Sequence, residues 1–118
     1  MRNMSFSKTT EQMYAGTKDV TRRHIDTWKN LRAGDKLRAV EKAMGLKKGE
    51  KFKPICEIEI VDVRVERIYQ VTYEDIRREG FPDMTHSEFV MLLRDVMKCH
   101  PFDKCRRIEF RVVHPPLP

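Results

Sequence analysis

The sequence predicts an α+β fold in which a small, strongly bent antiparallel or mixed sheet closes towards a barrel and helices cover its openings. Two observations lead to this prediction: one long strand-like segment changes its alternation midway, and two helix-start signatures follow it directly. With 118 residues the chain is long enough to bury a core of its own. We therefore expect a single domain over residues 1–118, with its core in about residues 5–113.

The first third of the sequence predicts a short helix, a turn and a strand. Thr9 and Gln12 have the spacing of a helix-capping pair, and Gly16 is the residue type that ends a helix in the left-handed conformation. A turn then precedes a predicted strand over residues 36–40, where apolar and polar residues alternate. Residues 41–53 are rich in Lys, Gly and Glu, which predicts an exposed connection.

The longest strand is predicted over residues 55–67. Ile58 and Ile60 occupy even positions, but from Val61 onwards the apolar residues occupy odd positions. A shift of one residue would turn every later side chain to the other face, unless an extra residue absorbs it as a β-bulge. The sequence therefore predicts a bulge near Ile60 and Val61, and a bulged strand bends in the way that small barrels require.

Two capping boxes follow the long strand. Thr72 and Asp75 open a short helix that is predicted to run to Glu79, and Thr85 and Glu88 open a second helix. The second helix has an apolar stripe at helical spacing that is predicted to face the core. The stripe consists of Phe89, Leu92, Leu93 and Val96. A last strand is predicted over residues 108–112, where polar and apolar residues alternate.

The positive charge of the chain is concentrated in one part of the sequence. The whole chain has a net charge of +6, and residues 17–53 hold twelve Lys and Arg against five Asp and Glu. Such a concentration predicts an anionic partner, either a nucleic acid or a nucleotide, because phosphates attract Lys and Arg clusters. The alternative is a solvated basic face without a partner. The residues predicted to contact nucleic acid are Arg22, Arg32, Lys47, Lys48 and Lys51.

Secretory and membrane-spanning segments are not indicated. The apolar residues at the start never form the run of roughly seven that a signal peptide needs. No stretch approaches the roughly 18 apolar residues of a membrane helix. The three cysteines, an odd number, favour a reducing compartment without disulfides. We therefore expect a cytoplasmic protein that does not associate with membranes, and we expect a monomer.

A metal site is the weaker interpretation of the cysteines. Cys99 and His100, together with Cys105, resemble half of a zinc site. A structural zinc ion needs four ligands, usually paired at short spacing, and only Cys56 or His114 could complete this set from far away in the sequence. The simpler interpretation is that the cysteines are small, partly buried residues. We expect neither a metal nor a cofactor.

The densest cluster of chemically useful side chains lies in the predicted transition from the first helix to a strand. Lys18, Thr21 and Arg23 bring a cation, a hydroxyl and a guanidinium into one short segment. Such groups can converge on a small anionic or carbonyl-bearing ligand. His24 and Trp28 follow closely and are predicted to line or support the site, by hydrogen bonding or stacking on a base. The alternatives are an exposed turn histidine and a core tryptophan.

Three segments, in the right order and at plausible spacing, resemble the ASCH domain family, which belongs to the PUA-like β-barrel group. They are Gly16-x-Lys18-x-x-Thr21-x-Arg23, Leu31-x-x-Gly34-Asp35-x-Leu37, and Glu79-Gly80-Phe81-Pro82 with Met84-Thr85-x-x-Glu88-Phe89. The resemblance covers nearly the whole chain, from about Ser5 to Val113. It implies a bent β-barrel with a cleft, related to folds that bind RNA.

The resemblance also implies an activity. Small bacterial members of the family are amidohydrolases that remove the acetyl group from N4-acetylcytidine. By position in the motifs, the resemblance assigns the catalytic roles to Lys18, Thr21 and Glu79. Glu74 and Asp75 compete with Glu79 for the acidic role, because they lie in the same predicted helix.

The chain departs from the family pattern at Asp19, where the enzymes have a threonine directly after the lysine. A carboxylate there would hold Lys18 in its charged form if the two side chains met. In an extended segment neighbouring side chains point to opposite faces, and the conflict disappears. The sequence leaves both arrangements open.

The implied chemistry is consistent with these residue types. Hydrolysis of an N-acyl bond needs an activated nucleophile, stabilisation of the tetrahedral oxyanion and an acid for the leaving amine. A desolvated Lys18 would take a proton from Thr21 or from a water that it holds, and Glu79 would pass it to the ring amine. We expect a hydrolase that acts on N4-acetylcytidine or a similar modified nucleoside. The alternative is a non-catalytic module that binds RNA or modified nucleic acid through the basic face of residues 17–53. For the site itself, the alternative is that Lys18 and Arg23 only hold phosphate.

Overall fold

The structure, a computed structural model, describes residues 1–43 and 45–114. This part of the chain holds five strands and three α-helices, and a single turn of 3-10 helix at Ile68–Gln70 follows the longest strand. The elements in chain order are β1 (Asn3–Ser5), α1 (Thr10–Ala15), β2 (Val20–His24), β3 (Lys36–Val40), β4 (Pro54–Arg67), α2 (Tyr73–Arg78), α3 (His86–Met97) and β5 (Lys104–His114). Residues 115–118, the end of the proline-rich tail, lie outside the described residues.

The five strands form one mixed sheet in the order β1-β3-β4-β5-β2. Strand β1 is parallel to β3, and the other pairs are antiparallel. The predicted α+β class is confirmed. Closure into a barrel is not confirmed, because β1 and β2 are the two edges and no ladder joins them among residues 1–43 and 45–114. A side chain links the edges instead: Arg23 in β2 donates from Nη2 to the carbonyl of Ser5 in β1 at 2.7 Å.

Strand β4 carries the predicted bulge. Its ladder with β5 pairs Ile60 with Phe110 and then Asp62 with Glu109, so that Val61 is the extra residue. Ile60 is buried before the bulge, while Val61 is exposed, because the extra residue turns its side chain outwards. The prediction of a long bulged strand over residues 55–67 is confirmed.

The two predicted capping boxes differ. At the start of α3 the Thr85 side chain accepts from the Glu88 backbone N–H, and the Glu88 side chain accepts from the Thr85 N–H, as predicted. At the start of α2 Thr72 accepts from the Asp75 N–H, but the Asp75 carboxylate does not reach back. It is buried against two arginines instead, because ionised donors bind a carboxylate more strongly than one backbone N–H does.

Helix α1 ends as predicted but begins differently. Gly16 has φ of 73° and ends the helix in the left-handed conformation. Thr9 precedes the helix without a side-chain capping hydrogen bond. The Thr10 hydroxyl instead donates to the Phe6 carbonyl at 2.8 Å, which ties the start of α1 to the segment that follows β1.

The core consists of two clusters. One consists mainly of residues of the sheet, and the other packs α2 and α3 against the 3-10 turn after β4 and the start of β5. Of the predicted core stripe of α3, Phe89 and Leu93 are buried, whereas Val96 is 48% exposed. The assignment of Val96 to the core is therefore wrong. The buried face of α3 is rotated towards Val90 and Met97, so Leu92 and Val96 lie at its edge.

Three further findings concern the helices, the cysteines and the metal-ligating side chains of the described residues. None of their helices is both long and apolar enough to cross a membrane. Cys56, Cys99 and Cys105 are free thiols. Within residues 1–43 and 45–114, no group of three or more His, Cys, Asp or Glu side chains is placed to hold a metal ion.

Candidate active site

A cavity of about 230 Å³ opens between the two sheet edges and helix α3. One wall is polar and comes from β2 and the end of α2, and the other is apolar and comes mainly from α3. The volume is below the range of about 300–1,000 Å³ that holds drug-sized ligands. The lining residues are Ser5, Phe6, Ser7, Lys8, Thr9, Lys18, Thr21, Arg22, Arg23, Glu79, Phe81, Phe89, Leu92, Leu93 and Val96.

Lys18 and Glu79 form an ion pair in the polar wall. The Lys18 Nζ atom donates to Glu79 Oε1 at 2.9 Å and to the Glu79 carbonyl at 2.8 Å. The two side chains are only 2% and 4% exposed. Lys18 lies between α1 and β2, and Glu79 directly follows α2, so two chain segments that are 61 residues apart meet here.

Gly80 shapes the turn after Glu79. It has φ of 104°, which side-chain-bearing residues rarely adopt. A Cβ atom there would lie 2.6 Å from Cγ of Gln12 in α1, so only glycine lets the two segments pack this closely. The Gln12 amide donates to the Gly80 carbonyl at 3.3 Å and ties α1 to this turn.

Burial changes the acid–base properties of Lys18. Loss of solvent lowers the pKa of Lys18 below its usual value, although the attraction of Glu79 opposes this shift. The positive charges of Arg23 and Arg22 lower it further. The ammonium of Lys18 therefore gives up its proton more readily than an exposed lysine does, which a general base requires.

Arg23 holds the hydroxyl of Thr21. Its Nε atom donates to Thr21 Oγ1 at 3.2 Å, and its guanidinium lies 4.9 Å from the ring centre of Phe6. Burial lowers the pKa of Arg23 to about 10, so it is still a cation at neutral pH. Among residues 1–43 and 45–114, Arg23 makes no ion pair; its Nη2 atom donates to the Ser5 carbonyl, and the residue lines the cavity.

The expected contact between Lys18 and Thr21 is not formed. Both residues line the cavity, but no hydrogen bond joins their side chains in the described part of the chain. Because the Thr21 oxygen accepts from Arg23, its own proton is available to a group inside the cavity.

The departure from the family pattern at Asp19 does not affect Lys18. The Asp19 carboxylate accepts from Arg78 Nε at 3.0 Å and from Arg78 Nη2 at 3.2 Å. Asp19 thus points to the face opposite Lys18, as an extended backbone predicts. Glu74 is exposed, and Asp75 does not line the cavity, so Glu79 is the carboxylate beside Lys18.

Arg22 is not a surface residue, and its assignment to a nucleic-acid contact is wrong. Its side chain is 0% exposed and donates from Nη1 to Glu79 Oε2 at 2.9 Å. The Nη2 atom donates to Asp75 Oδ2 at 2.7 Å and to Glu66. The physical reason is that three carboxylates converge on this position of β2 and compensate for the lost hydration of the guanidinium.

Arg107 in β5 closes the network from the other side. It donates from Nε and Nη2 to the two oxygens of Asp75 at 2.7 and 3.0 Å. Burial alone would raise the pKa of Asp75, but the hydrogen bonds from Arg107 and Arg22 outweigh it and hold this pKa well below its usual range. Asp75 is therefore an anion at neutral pH and anchors both arginines.

His24 and Trp28 do not line the cavity, although both were predicted to line or support it. His24 is the last residue of β2, and its Nδ1 accepts from the Asp26 N–H at 3.1 Å. Trp28, at φ of 54°, packs against the core, and the Arg2 guanidinium lies 4.5 Å from its ring centre. The chain turns away from the cavity at the end of β2. The closeness of His24 and Trp28 to Arg23 in the sequence therefore did not predict their positions.

The remaining basic candidates lie on the surface. The side chains of Arg32, Lys47, Lys48 and Lys51 are exposed, far along the chain from the cavity residues of β2. Their exposure is compatible with the predicted contact to nucleic acid, which stays a prediction.

Sequence reasoning missed two parts of the site. The first is the apolar wall, since Leu92 and Val96 were assigned to the core and Phe81 only to a turn motif. The second is the support of Glu79 by Arg22, with Glu66 and Arg107 behind it. The sequence holds no local signal for this support, because Arg22 stands between the polar residues Thr21 and Arg23, and Arg107 follows Arg106.

Comparison with known proteins gives the fold a name. No family model and no curated protein sequence matches the chain. An ASCH domain structure from Lactobacillus crispatus JV V101 superposes with a TM-score of 0.70 at 16% identity, over 96% of this chain and 80% of that one. A protein of the DUF984 family from Enterococcus faecalis V583 gives a TM-score of 0.64 at 16% identity, over 92% and 72% of the two chains.

A third structure, hypothetical protein PH0355, gives a TM-score of 0.66 at 17% identity and covers 96% of this chain and all of that one. Identities this low show the fold alone. The arrangement of strands and helices, and its match to these structures, lead to one conclusion: this chain has the fold of an ASCH domain.

Proposed function

We propose that the protein is a small amidohydrolase that removes the acyl group from the exocyclic amine of a nucleobase, as in N4-acetylcytidine. The observation that carries this proposal is the buried Lys18–Glu79 pair in the wall of a cavity that Thr21 and Arg23 also line. These four residues stand at the positions that the ASCH amidohydrolase motifs use, although the proposal depends equally on their chemistry in this cavity.

Lys18, Thr21, Arg23 and Glu79 have different roles in the proposed reaction. In its deprotonated form, Lys18 takes the proton of a water that Thr21 holds, or that of Thr21 through an intervening water, and the resulting oxygen attacks the acyl carbon. The Arg23 guanidinium stabilises the oxyanion that forms, because it is a cation without a carboxylate partner of its own in the described residues.

Collapse of this intermediate breaks the bond between the acyl carbon and nitrogen. Lys18 passes its proton to Glu79 Oε1 across their 2.9 Å hydrogen bond, and Glu79 delivers it to the departing amine. If Thr21 is the nucleophile, a water then releases the acyl group from its oxygen by the same proton path. The net reaction consumes one water and yields a carboxylic acid and the free amine.

The size and lining of the cavity support a small substrate. A volume of about 230 Å³ takes a nucleobase with a short acyl group more readily than a folded polymer. The apolar wall from α3 offers a surface for the flat faces of a base. A duplex nucleic acid would have to flip a base out of its stack to reach Lys18.

The direct test is to incubate the purified protein with a panel of N-acylated nucleosides and to follow deacylation by ultraviolet absorbance and by mass. We expect turnover of at least one N4-acylcytidine. Lys18→Arg should abolish it, because a guanidinium does not release its proton near neutral pH. Glu79→Gln should abolish it as well. Lys36→Arg, an exposed lysine on β3, is the matched control and should keep full activity.

Lack of turnover of every substrate in the panel would contradict the proposal. Full activity of Lys18→Arg would also do so, since it would reduce Lys18 to a positive charge that holds the substrate.

A second candidate function is binding of RNA or another nucleic acid without catalysis. The specific observation in its favour is that Arg32, Lys47, Lys48 and Lys51 are all exposed within the basic part of the chain. The buried Arg22 is not part of such a surface. Binding that depends on these exposed residues, in a protein without deacylase activity, would favour this alternative.

A further inference from the structure

Glu79 is held by two cations at once, one on each carboxylate oxygen. Lys18 binds Oε1 at 2.9 Å, and Arg22 binds Oε2 at 2.9 Å. Arg22 is in turn held from behind by Asp75 and Glu66. A carboxylate with both oxygens bound cannot rotate without breaking an ion pair in a buried environment, which is costly.

We propose that Arg22 is a positioning residue for this pair: by occupying Oε2 it leaves Oε1 as the one oxygen that exchanges a proton with Lys18. The inference rests on the proposed function of Lys18 and Glu79. It goes beyond the ASCH motif, because the resemblance assigns catalytic roles to Lys18, Thr21 and Glu79, and the motif leaves the position of Arg22 open.

The geometry distinguishes Arg22 from an ordinary structural arginine. Its two terminal nitrogens reach three carboxylates, which lie in β4, in α2 and directly after α2, while its Nε has no hydrogen-bond partner among the described residues. A planar guanidinium can hold such a divergent set in one orientation, whereas a lysine ammonium cannot. The two terminal nitrogens of Arg22 therefore set the orientation in which the Glu79 carboxylate faces Lys18.

Arg22 also adds a charge beside Lys18. The charged groups that line the cavity with Lys18 are Glu79 after α2, Arg22 and Arg23 from β2, and Lys8. Lys18 also borders a second pocket, whose other charged residues are Asp19, Glu74, Arg77 and Arg78. Asp19 faces Arg78 instead. Glu66, Asp75 and Arg107 lie behind Arg22. Removing a positive charge from this set raises the pKa of Lys18, and removing a negative charge lowers it.

The test compares Arg22→Gln with Glu66→Gln. Loss of the Arg22 cation should raise the titration midpoint of Lys18, by at least about one pH unit, because a repelling charge has gone and Glu79 is left to Lys18 alone. Loss of the Glu66 anion should lower the midpoint by a smaller amount. A merely structural role would loosen the packing and move both midpoints upwards, towards that of a solvated lysine.

The midpoints are measured by NMR on protein with 13C-labelled lysine side chains, with the Lys18 signal identified by its absence in Lys18→Arg. Arg38→Gln, an exposed arginine on β3, is the matched control and should leave the Lys18 midpoint unchanged. Melting curves establish that each variant is folded. If Arg22→Gln does not fold, the Lys18 midpoint in Glu66→Gln decides between the positioning and the structural role. The wild-type Glu66 side chain is 15% exposed, so it can be replaced with less disruption.

The kinetic readout is kcat against KM for the deacylation. Arg22→Gln should lower kcat by at least about tenfold and change KM little, because a misplaced proton donor slows the reaction without removing a substrate contact. The acid limb of the pH–rate profile should move to higher pH with the midpoint of Lys18.

Equal midpoints in wild type and Arg22→Gln, shifts of the same sign in both variants, or an effect confined to KM would overturn the positioning role. Opposite shifts in a protein that turns over no substrate would keep the role of Arg22 towards Lys18 and reject the amidohydrolase. The two proposals therefore fail on different measurements.

Discussion

Asp19 and Arg78 form a two-pronged ion pair that fastens the residue after Lys18 to the last turn of α2. The Arg78 Nε and Nη2 atoms lie 3.0 and 3.2 Å from the two carboxylate oxygens of Asp19. The pair directs the Asp19 carboxylate towards Arg78 and brings the start of β2 close to α2, the helix that directly precedes Glu79. The carboxylate beside Lys18 is therefore that of Glu79, and not that of Asp19, the next residue in the sequence.

Replacing Asp19 should have little effect on either stability or catalysis. The Asp19 side chain is 50% exposed, and exposed ion pairs contribute about 0.2–1 kcal/mol. Arg78 keeps a second partner, Glu109, at 3.2 Å. Asp19→Thr, which restores the residue of the ASCH enzymes, should change the free energy of unfolding in urea by at most about 1 kcal/mol and kcat by less than about twofold. A large gain in kcat would show that Asp19 restrains Lys18 after all.

Filling the cavity should block the substrate without unfolding the protein. Val96→Phe adds a ring at the mouth of the cavity, where the side chain is 48% exposed and has room to turn outwards. We expect kcat/KM for deacylation to fall by at least about tenfold, with a change in melting temperature of only a few degrees. Met91→Phe is the matched control on the same helix, because Met91 is exposed and does not line the cavity. Equal kinetics of the two variants would place the substrate elsewhere.

The Asp75 carboxylate should make the stability of the protein depend on pH in the acid range. Its pKa is lower in the folded chain than the value of about 3.9 in an unfolded one, so the unfolded state takes up the proton first as the pH falls. The stabilisation is complete above the unfolded value and is lost as the pH falls through it towards the lower folded value. Urea unfolding at a series of pH values measures this loss.

Asp75→Asn isolates the contribution of this carboxylate. It should lower the free energy of unfolding near neutral pH by about 3–5 kcal/mol, because it leaves Arg22 and Arg107 without a shared buried anion. Its stability should also change less between pH 5 and pH 2 than that of the wild type. Asp83→Asn, an exposed carboxylate in the turn before α3, serves as the control. Parallel pH curves for wild type and Asp75→Asn would contradict the role of the carboxylate.

Nucleic-acid binding, if present, should depend on salt and on the exposed lysines. Each phosphate contact releases counterions, so the affinity for single-stranded RNA should fall steeply as the salt concentration rises. The triple change of Lys47, Lys48 and Lys51 to Glu should abolish binding at low salt in a fluorescence-anisotropy titration. The matched control makes the same change of charge outside the basic segment, at the exposed residues Arg77, Lys98 and Lys104, and should weaken binding much less. Affinity that is independent of salt would remove the main support for this function.

Local sequence patterns predicted much of the fold because their causes are local. The bulge in β4 follows from the change of alternation at Val61, and the capping box of α3 follows from the spacing of Thr85 and Glu88. Gly16 ends α1 because a left-handed residue stops a helix wherever it stands. These features depend on residues two to four positions apart, so the sequence alone is enough to predict them.

Local patterns failed where a distant partner was the stronger one. Asp75 has the spacing of a capping residue, but two buried arginines from β2 and β5 take its carboxylate. Val96 has the spacing of a core residue, but α3 packs on a rotated face and leaves it at the cavity. The barrel was inferred from strand bending, whereas closure depends on whether β1 and β2 meet.

The sequence by itself determined the α+β class, the bent long strand and the residue types of the candidate site, because periodicity, caps and motif spacing are properties of neighbouring residues. Only the tertiary structure decided that Lys18 meets Glu79 rather than Asp19, and that Arg22 is buried behind them. The reason is physical: a buried charge takes the partner that compensates its lost hydration, and the packing of separate elements decides which partner is within reach.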